Sequence, residues 1–226
     1  MGAPEPAAEP FEARADGRPE VRGYLHRPAT AGGDGLVLTH GAGGNCHTPL
    51  LQALAVAFAD EGVVVLRCDL PYRQARASGP PSPGTAARDR EGLRHALQAM
   101  REIARGRVYL GGQSYGGRQA SLLAADEAGL AAALLLLSYP LHPPGRPAEL
   151  RTAHLPKLTT PALFVHGTQD PFGSITELNA ARALIPAPTA LLTVEGAGHD
   201  LGWGRPAQRD AGVPTRIVEA FVALTR

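Results

Sequence analysis

The stretch Val108–Arg118, Val-Tyr-Leu-Gly-Gly-Gln-Ser-Tyr-Gly-Gly-Arg, leaves this chain few ways to fold. A short apolar run ends in glycines, a serine follows, and after two more glycines a helical pattern begins with Arg118, Ala120, Leu122 and Leu123. The order is strand, sharp turn, helix, with Ser114 at the apex of a G-x-S-x-G motif spanning Gly112 to Gly116. A serine on so sharp a turn takes a strained backbone, and residues two places either side crowd it unless they lack a Cβ. The helix that starts there aims its free N–H groups and positive dipole end at the same spot. A strand buried enough to need no polar face, feeding a helix directly, belongs to a parallel sheet.

The remainder of the chain repeats that unit. Phe11–Ala15 and Val21–Leu25 alternate around Asp16-Gly17 and predict an antiparallel hairpin. Leu36-Val37-Leu38, Val63–Leu66, Val108–Leu110, Ala132–Leu137, Leu163–Val165 and Leu191–Val194 are short apolar runs sized for strands buried on both faces. Between them lie amphipathic stripes: Leu50, Leu51, Leu54, Ala55 and Phe58 behind Thr48-Pro49; Leu93, Leu97 and Met100; and a closing Ile217, Val218, Phe221 and Leu224. Ser174 with Glu177 spells a capping box. The prediction is an α/β fold with one mostly parallel twisted sheet, an N-terminal antiparallel hairpin and helices on both faces. Residues 1–10 are expected to be a loose tail, and 11–226 a single domain.

In such a sheet, chemistry gathers at the carboxyl ends of the strands. Four strand ends here carry suitable residues. Ser114 is the candidate nucleophile, and a neutral serine needs a base within hydrogen-bond reach. His199 follows the last strand in a glycine-flanked turn and is the candidate base. Asp170 follows the penultimate strand and is the candidate for orienting that histidine, with Asp69 as the alternative acid. His40-Gly41-Ala42-Gly43-Gly44 follows the first parallel strand, where small residues let main-chain N–H groups approach a developing oxyanion. The expected donors are the amides of Tyr115 and Ala42, with Gly43 second to Ala42. Tyr72, Arg73 and His142 lie on loops at the same edge and are candidates for the substrate pocket, as is the Tyr115 ring.

Composition narrows the setting. Twenty-two basic and 21 acidic side chains leave a net charge of +1, with no basic run, so neither nucleic acid nor an anionic membrane is an expected partner. The start, Met-Gly-Ala-Pro-Glu-Pro, has no basic region followed by an apolar core, and no apolar run reaches the ~20 residues of a membrane span. Two cysteines, Cys46 and Cys68, make no disulfide framework, although both follow strands and a single bridge between them is the alternative to free thiols. These features point to a reducing, cytoplasmic setting. The eight histidines show no H-E-x-x-H or C-x-x-C spacing, and neither a metal nor a cofactor is expected.

With those residues in view, the chain resembles the α/β-hydrolases from about Val21 to Leu224, in the order serine, acid, histidine. More narrowly it resembles the small cap-less, dienelactone-hydrolase-related group of testis-expressed and NSL-complex subunit three hydrolase-like proteins. The carrying residues are Thr39–Gly44, Leu110–Arg118, Tyr139-Pro140-Leu141-His142-Pro143-Pro144-Gly145 and His166-Gly167-Thr168-Gln169-Asp170-Pro171-Phe172-Gly173. Tyr115 departs from the methionine more usual there. The resemblance implies a Ser114, Asp170 and His199 triad, no cofactor, and hydrolysis of small-molecule carboxylic esters or thioesters by a monomer or homodimer. Its alternative is a hydrolase-fold interaction subunit whose site is vestigial. No cap is expected, because Leu141–Thr160 has room for a short helix and loop only.

Overall fold

The computed structural model describes residues 8–30 and 33–226. Among the described residues, eight strands form one sheet in the order β1-β2-β4-β3-β5-β6-β7-β8. The strands are β1 Ala8–Ala13, β2 Val21–His26, β3 Gly35–Thr39, β4 Val64–Cys68, β5 Val108–Gln113, β6 Leu134–Leu137, β7 Ala162–Gly167 and β8 Thr189–Val194. The β1–β2 hairpin is antiparallel and adds antiparallel to β4; from β4 to β8 every pairing is parallel. The strand starts at Ala8, which pairs with His26, so the expected tail boundary at residue 10 falls inside β1. Of that tail, residues 1–7 lie outside the described residues.

Each parallel strand sends alternate side chains to opposite faces, as the two-residue period requires. Val37, Leu66, Leu110, Leu136 and Phe164 enter one core with Leu93, Leu97 and Met100 of α3 (Ala86–Ile103) and Leu123 of α4 (Tyr115–Asp126). Leu38, Val65, Tyr109, Leu135 and Val165 enter the other with α1 (Pro49–Asp60) and the closing helix. In this second core Phe221 packs T-shaped against Phe58 and Tyr109, with ring centroids 5.6 and 5.1 Å away. A fully buried leucine or phenylalanine contributes roughly 1.5–3 kcal/mol. Runs such as Leu134–Leu137, buried on both sides, therefore hold the middle of the sheet rigid.

Two local outcomes depart from expectation, and one alternative is resolved. Thr48 sits at the start of α1, but its hydroxyl donates back to the Asn45 carbonyl instead of capping the helix. A short helix, α2 (Pro71–Ala75), occupies the start of what reads as loop. Cys46 and Cys68 are buried free thiols, so the alternative of a bridge is set aside. The capping box on α5 (Ile175–Arg182) is present with both of its hydrogen bonds. The closing helix, α6, spans Gly212–Thr225.

Two histidines, His26 buried and His154 half-buried, tie stability to pH. Burial first, and then the Arg67 cation, push His26 down to about 4; burial and then Arg118 do the same to His154. His26 Nε2 accepts from Arg67 Nε at 2.9 Å, which requires a neutral ring. His154 Nε2 lies 2.8 Å from the Ser121 hydroxyl. Between the unfolded value of 6.5 and the folded value of about 4, the unfolded chain binds the extra protons. Stability is therefore whole above 6.5 and falls as pH drops toward about 4. We expect about 1–3 kcal/mol from each histidine over that window. Urea titrations at successive pH values check this, and His154→Gln should flatten the slope.

Candidate active site

The turn between β5 and α4 has the strain its sequence demands. Ser114 has φ 50° and ψ −114°, a conformation that L-residues rarely adopt. Neighbouring backbone leaves no room for side chains around it. A Cβ on Gly112 would meet the Gly116 carbonyl carbon at 2.6 Å, and one on Gly116 would meet the His40 carbonyl oxygen at 2.5 Å. The turn is tied to the sheet by the Ser114 N–H, which donates to the Leu137 carbonyl at 2.8 Å.

Three side chains from three strand ends meet over this turn. Ser114 Oγ lies 2.8 Å from His199 Nε2. His199 Nδ1 lies 2.8 Å from Asp170 Oδ2 and 3.0 Å from Oδ1. An ionised carboxylate only accepts, so Nδ1 carries the hydrogen and Nε2 is free to accept from the serine. The Asp170 side chain is 0% exposed and that of His199 25%, so the acid is sealed while the imidazole edge meets solvent. Asp170 is held in turn by the Phe172 N–H, which donates to Oδ1 at 2.9 Å. The Phe172 ring stacks on His199 at 4.1 Å. Asp69, the alternative acid, instead accepts the Cys46 N–H at 2.7 Å.

A hollow of about 420 Å³ opens above Ser114, walled by Gly41–Gly44, Thr48, Gln113, Phe172, His199 and Asp200. Gly44 N–H is used internally, donating to the Gly41 carbonyl at 3.0 Å. The Ala42 and Gly43 N–H groups have no protein partner among the described residues. Tyr115 is the first residue of α4, so its amide lies outside the helix ladder.

The side chains expected to line a pocket lie elsewhere. Tyr72 and Arg73 are buried beneath the Gly41–Gly44 loop and hydrogen-bond its carbonyls. His142 is buried with Nδ1 2.8 Å from the Pro143 carbonyl, and its Nε2 lies 3.6 Å from Glu177. The Tyr115 ring turns away from the hollow, meeting the Tyr72 ring edge-on at 5.7 Å and donating its hydroxyl to Asp89 at 2.7 Å. Long polar side chains beside a glycine-rich loop found backbone carbonyls to satisfy, which offset the cost of burying them. Phe172, by contrast, lines the site without having been singled out; the signal was an aromatic two residues after the candidate acid.

Residues 33–216 match the family described as alpha/beta hydrolase domain. Solved structures of similar fold include Est1E from Butyrivibrio proteoclasticus with ferulic acid bound, 19% identical over 95% of this chain and 98% of that one, with a TM-score of 0.75. A dienelactone hydrolase from Anabaena variabilis is 20% identical over 98% and 100%, with a TM-score of 0.74. XC6422 from Xanthomonas campestris, described as a serine hydrolase without a lid, is 17% identical over 98% and 97%, with a TM-score of 0.68. In keeping with that last likeness, the connection between β6 and β7 here holds only one short helical turn, Leu155–Lys157. The match spans most of the chain and takes in the elbow serine and both of its partners: this protein belongs to the alpha/beta hydrolase domain family.

Proposed function

We propose that this chain is a serine hydrolase that cleaves carboxylic esters or thioesters of small or flexible acyl groups through an acyl-enzyme. The observation that carries the reading is the unbroken hydrogen-bonded chain from Ser114 through His199 to Asp170 at the rim of an open hollow. Ser114 Oγ attacks the substrate carbonyl carbon, and its proton passes to His199 Nε2. The carbonyl electrons move onto oxygen, facing the amides of Tyr115 and Ala42, with Gly43 as the second choice for the latter. Each such donor supplies about 3 kcal/mol at the transition state. As the tetrahedral centre collapses, the leaving alkoxide or thiolate takes the proton back from His199. Water then enters, gives its proton to His199, and releases the acid and the serine by the same steps in reverse. Asp170 holds the imidazole in the needed tautomer and stabilises the imidazolium.

Within the family we place the chain nearest the testis-expressed and NSL-complex subunit three hydrolase-like group, on the Tyr139–Gly145 and His166–Gly173 segments. The open mouth favours an acyl group that needs no deep channel. A fluorophosphonate probe tests the reading directly. It should label the wild type and leave Ser114→Ala unlabelled, and a panel of p-nitrophenyl esters and thioesters should then rank acyl lengths. Labelling undiminished in Ser114→Ala, or absent from well-folded wild type, would overturn it.

A further inference from the structure

We propose that Tyr72 and Arg73 are positioning residues that aim the loop's candidates for the oxyanion site, the N–H groups of Ala42 and Gly43, by gripping the opposite ends of their peptide planes. The inference rests on the serine-hydrolase reading above and assigns parts to two side chains that do not touch the hollow.

A trans peptide is flat, and its C=O and N–H point to opposite sides. The N–H of Ala42 shares a plane with the carbonyl of Gly41, and the N–H of Gly43 with the carbonyl of Ala42. Both carbonyls are gripped from beneath. The Tyr72 hydroxyl lies 3.2 Å from the Gly41 oxygen and 3.0 Å from the Ala42 oxygen. Arg73 donates through one terminal nitrogen to the Ala42 oxygen at 3.0 Å, and through Nε to the Gly44 oxygen at 2.8 Å. His40, fully buried, adds an Nδ1 contact to the Gly41 oxygen at 2.8 Å, while its Nε2 accepts the Leu70 N–H at 3.1 Å. That pairing makes Nδ1 the donor and the ring neutral. With the oxygens drawn down toward α2, the N–H groups of Ala42 and Gly43 face the other way and remain unpartnered.

Arg73 also ties this loop to the next one. Its remaining bonds go to the carbonyls of Arg76 and Gly79 at 3.2 and 3.0 Å, so four main-chain oxygens, and no carboxylate among the described residues, take its hydrogens. The carboxylates of Asp69 and Asp89 lie in the same region, Asp89 accepting the Tyr72 N–H at 3.0 Å, so the grip acts through geometry. Aimed N–H groups stabilise a full oxyanion more than the carbonyl of a neutral ester. The grip should therefore act on the transition state more than on substrate binding. Tyr72 serves as a lasting donor, since burial raises its phenol above the ordinary tyrosine value.

Tyr72→Phe removes one hydroxyl and keeps the ring. In the folded variant kcat on the best ester should fall about 10–100-fold with KM unchanged. Affinity for a matching trifluoromethyl ketone, whose Ser114 adduct carries a true oxyanion, should fall by the same factor. A purely structural role would lower the melting temperature and leave that affinity alone. Arg73→Lys keeps the charge but loses the fork across the two loops. It should show the same pattern, and it decides the question if Tyr72→Phe does not fold. A variant whose kcat and inhibitor affinity stay within about twofold of wild type, or whose loss is confined to KM, would overturn the inference. Absence of Ser114-dependent turnover in the wild type would instead overturn the serine-hydrolase reading itself.

Discussion

Ser114→Gly is expected to lose turnover by about 10⁶-fold and yet to unfold at a higher temperature than Ser114→Ala. The loss follows from removing the hydroxyl that His199 would deprotonate, 2.8 Å away. The gain follows from the backbone. Ser114 sits at φ 50°, where a Cβ crowds its own carbonyl, and a non-glycine residue held in such a region costs about 1–3 kcal/mol. Alanine keeps that Cβ and its strain, whereas glycine relieves both. Against this stands the larger freedom glycine has in the unfolded chain, about 0.5–1 kcal/mol. The net advantage of glycine over alanine is then about 1 kcal/mol, or ~2–4 °C for a chain of this size. Thermal melts of the two variants, with ester turnover measured on the same samples, check both halves. Ser138 and Leu201 also have positive φ, but the strain at Ser114 is the one that lifts a hydroxyl to within 2.8 Å of the His199 imidazole. Nearby glycines make the same point. The Gly112 and Gly116 positions admit no Cβ because strand and helix cross there at backbone contact.

Much of this was legible in the sequence because it depends on short-range rules. Continuous apolar runs such as Leu134–Leu137 and Leu163–Val165 read as strands buried on both faces, and the two-residue period of a strand then sends their side chains to two cores. Glycines around Ser114 declare a close approach that any partner would impose. Placing Asp170 and His199 needed one more rule, that parallel strands deliver their C-terminal ends to a single edge, and the two meet at 2.8 Å. What remained hidden depends on choices between partners far apart in sequence. Nothing near Tyr72 or Arg73 indicates whether they face substrate or the carbonyls of residues 41–44, some thirty positions earlier. A loop whose N–H groups stay free has surplus carbonyls, and long donors nearby settle on them. Tyr115 shows the same limit: its amide position follows from the motif, but its ring direction is set by Asp89, which also accepts the Tyr72 N–H at 3.0 Å. Edge strands are uncertain for a related reason. Ala8–Pro10 carry little apolar signal, and their strand exists because His26, Leu25 and Tyr24 offer hydrogen-bonding positions opposite them.

The second large effect concerns a substitution that preserves shape and reverses one hydrogen bond. Asp170→Asn should lower kcat about 10⁴-fold while leaving the fold and KM nearly unchanged. The reason lies in a neighbouring amide. Phe172 N–H donates to Asp170 Oδ1 at 2.9 Å, so an asparagine placed here must turn its oxygen toward Phe172 and its NH₂ toward His199. The opposite orientation would set two donors against each other in a site where the carboxamide has no solvent to turn to, the Asp170 side chain being 0% exposed. With an NH₂ facing it, His199 Nδ1 has to accept, which moves the ring hydrogen to Nε2. That hydrogen then points at Ser114 Oγ, 2.8 Å away, and the imidazole can no longer take the serine proton. Phe172, stacked 4.1 Å from the imidazole, resists the ring flip that would exchange the two nitrogens. The variant should therefore stay folded, lose fluorophosphonate labelling rate in proportion to kcat, and bind a substrate ester as before. Pre-steady-state acylation rates read the effect most directly. An Asp170→Asn enzyme that acylated at the wild-type rate would show that the carboxylate does not set the tautomer of His199, and the role assigned to Asp170 would fall.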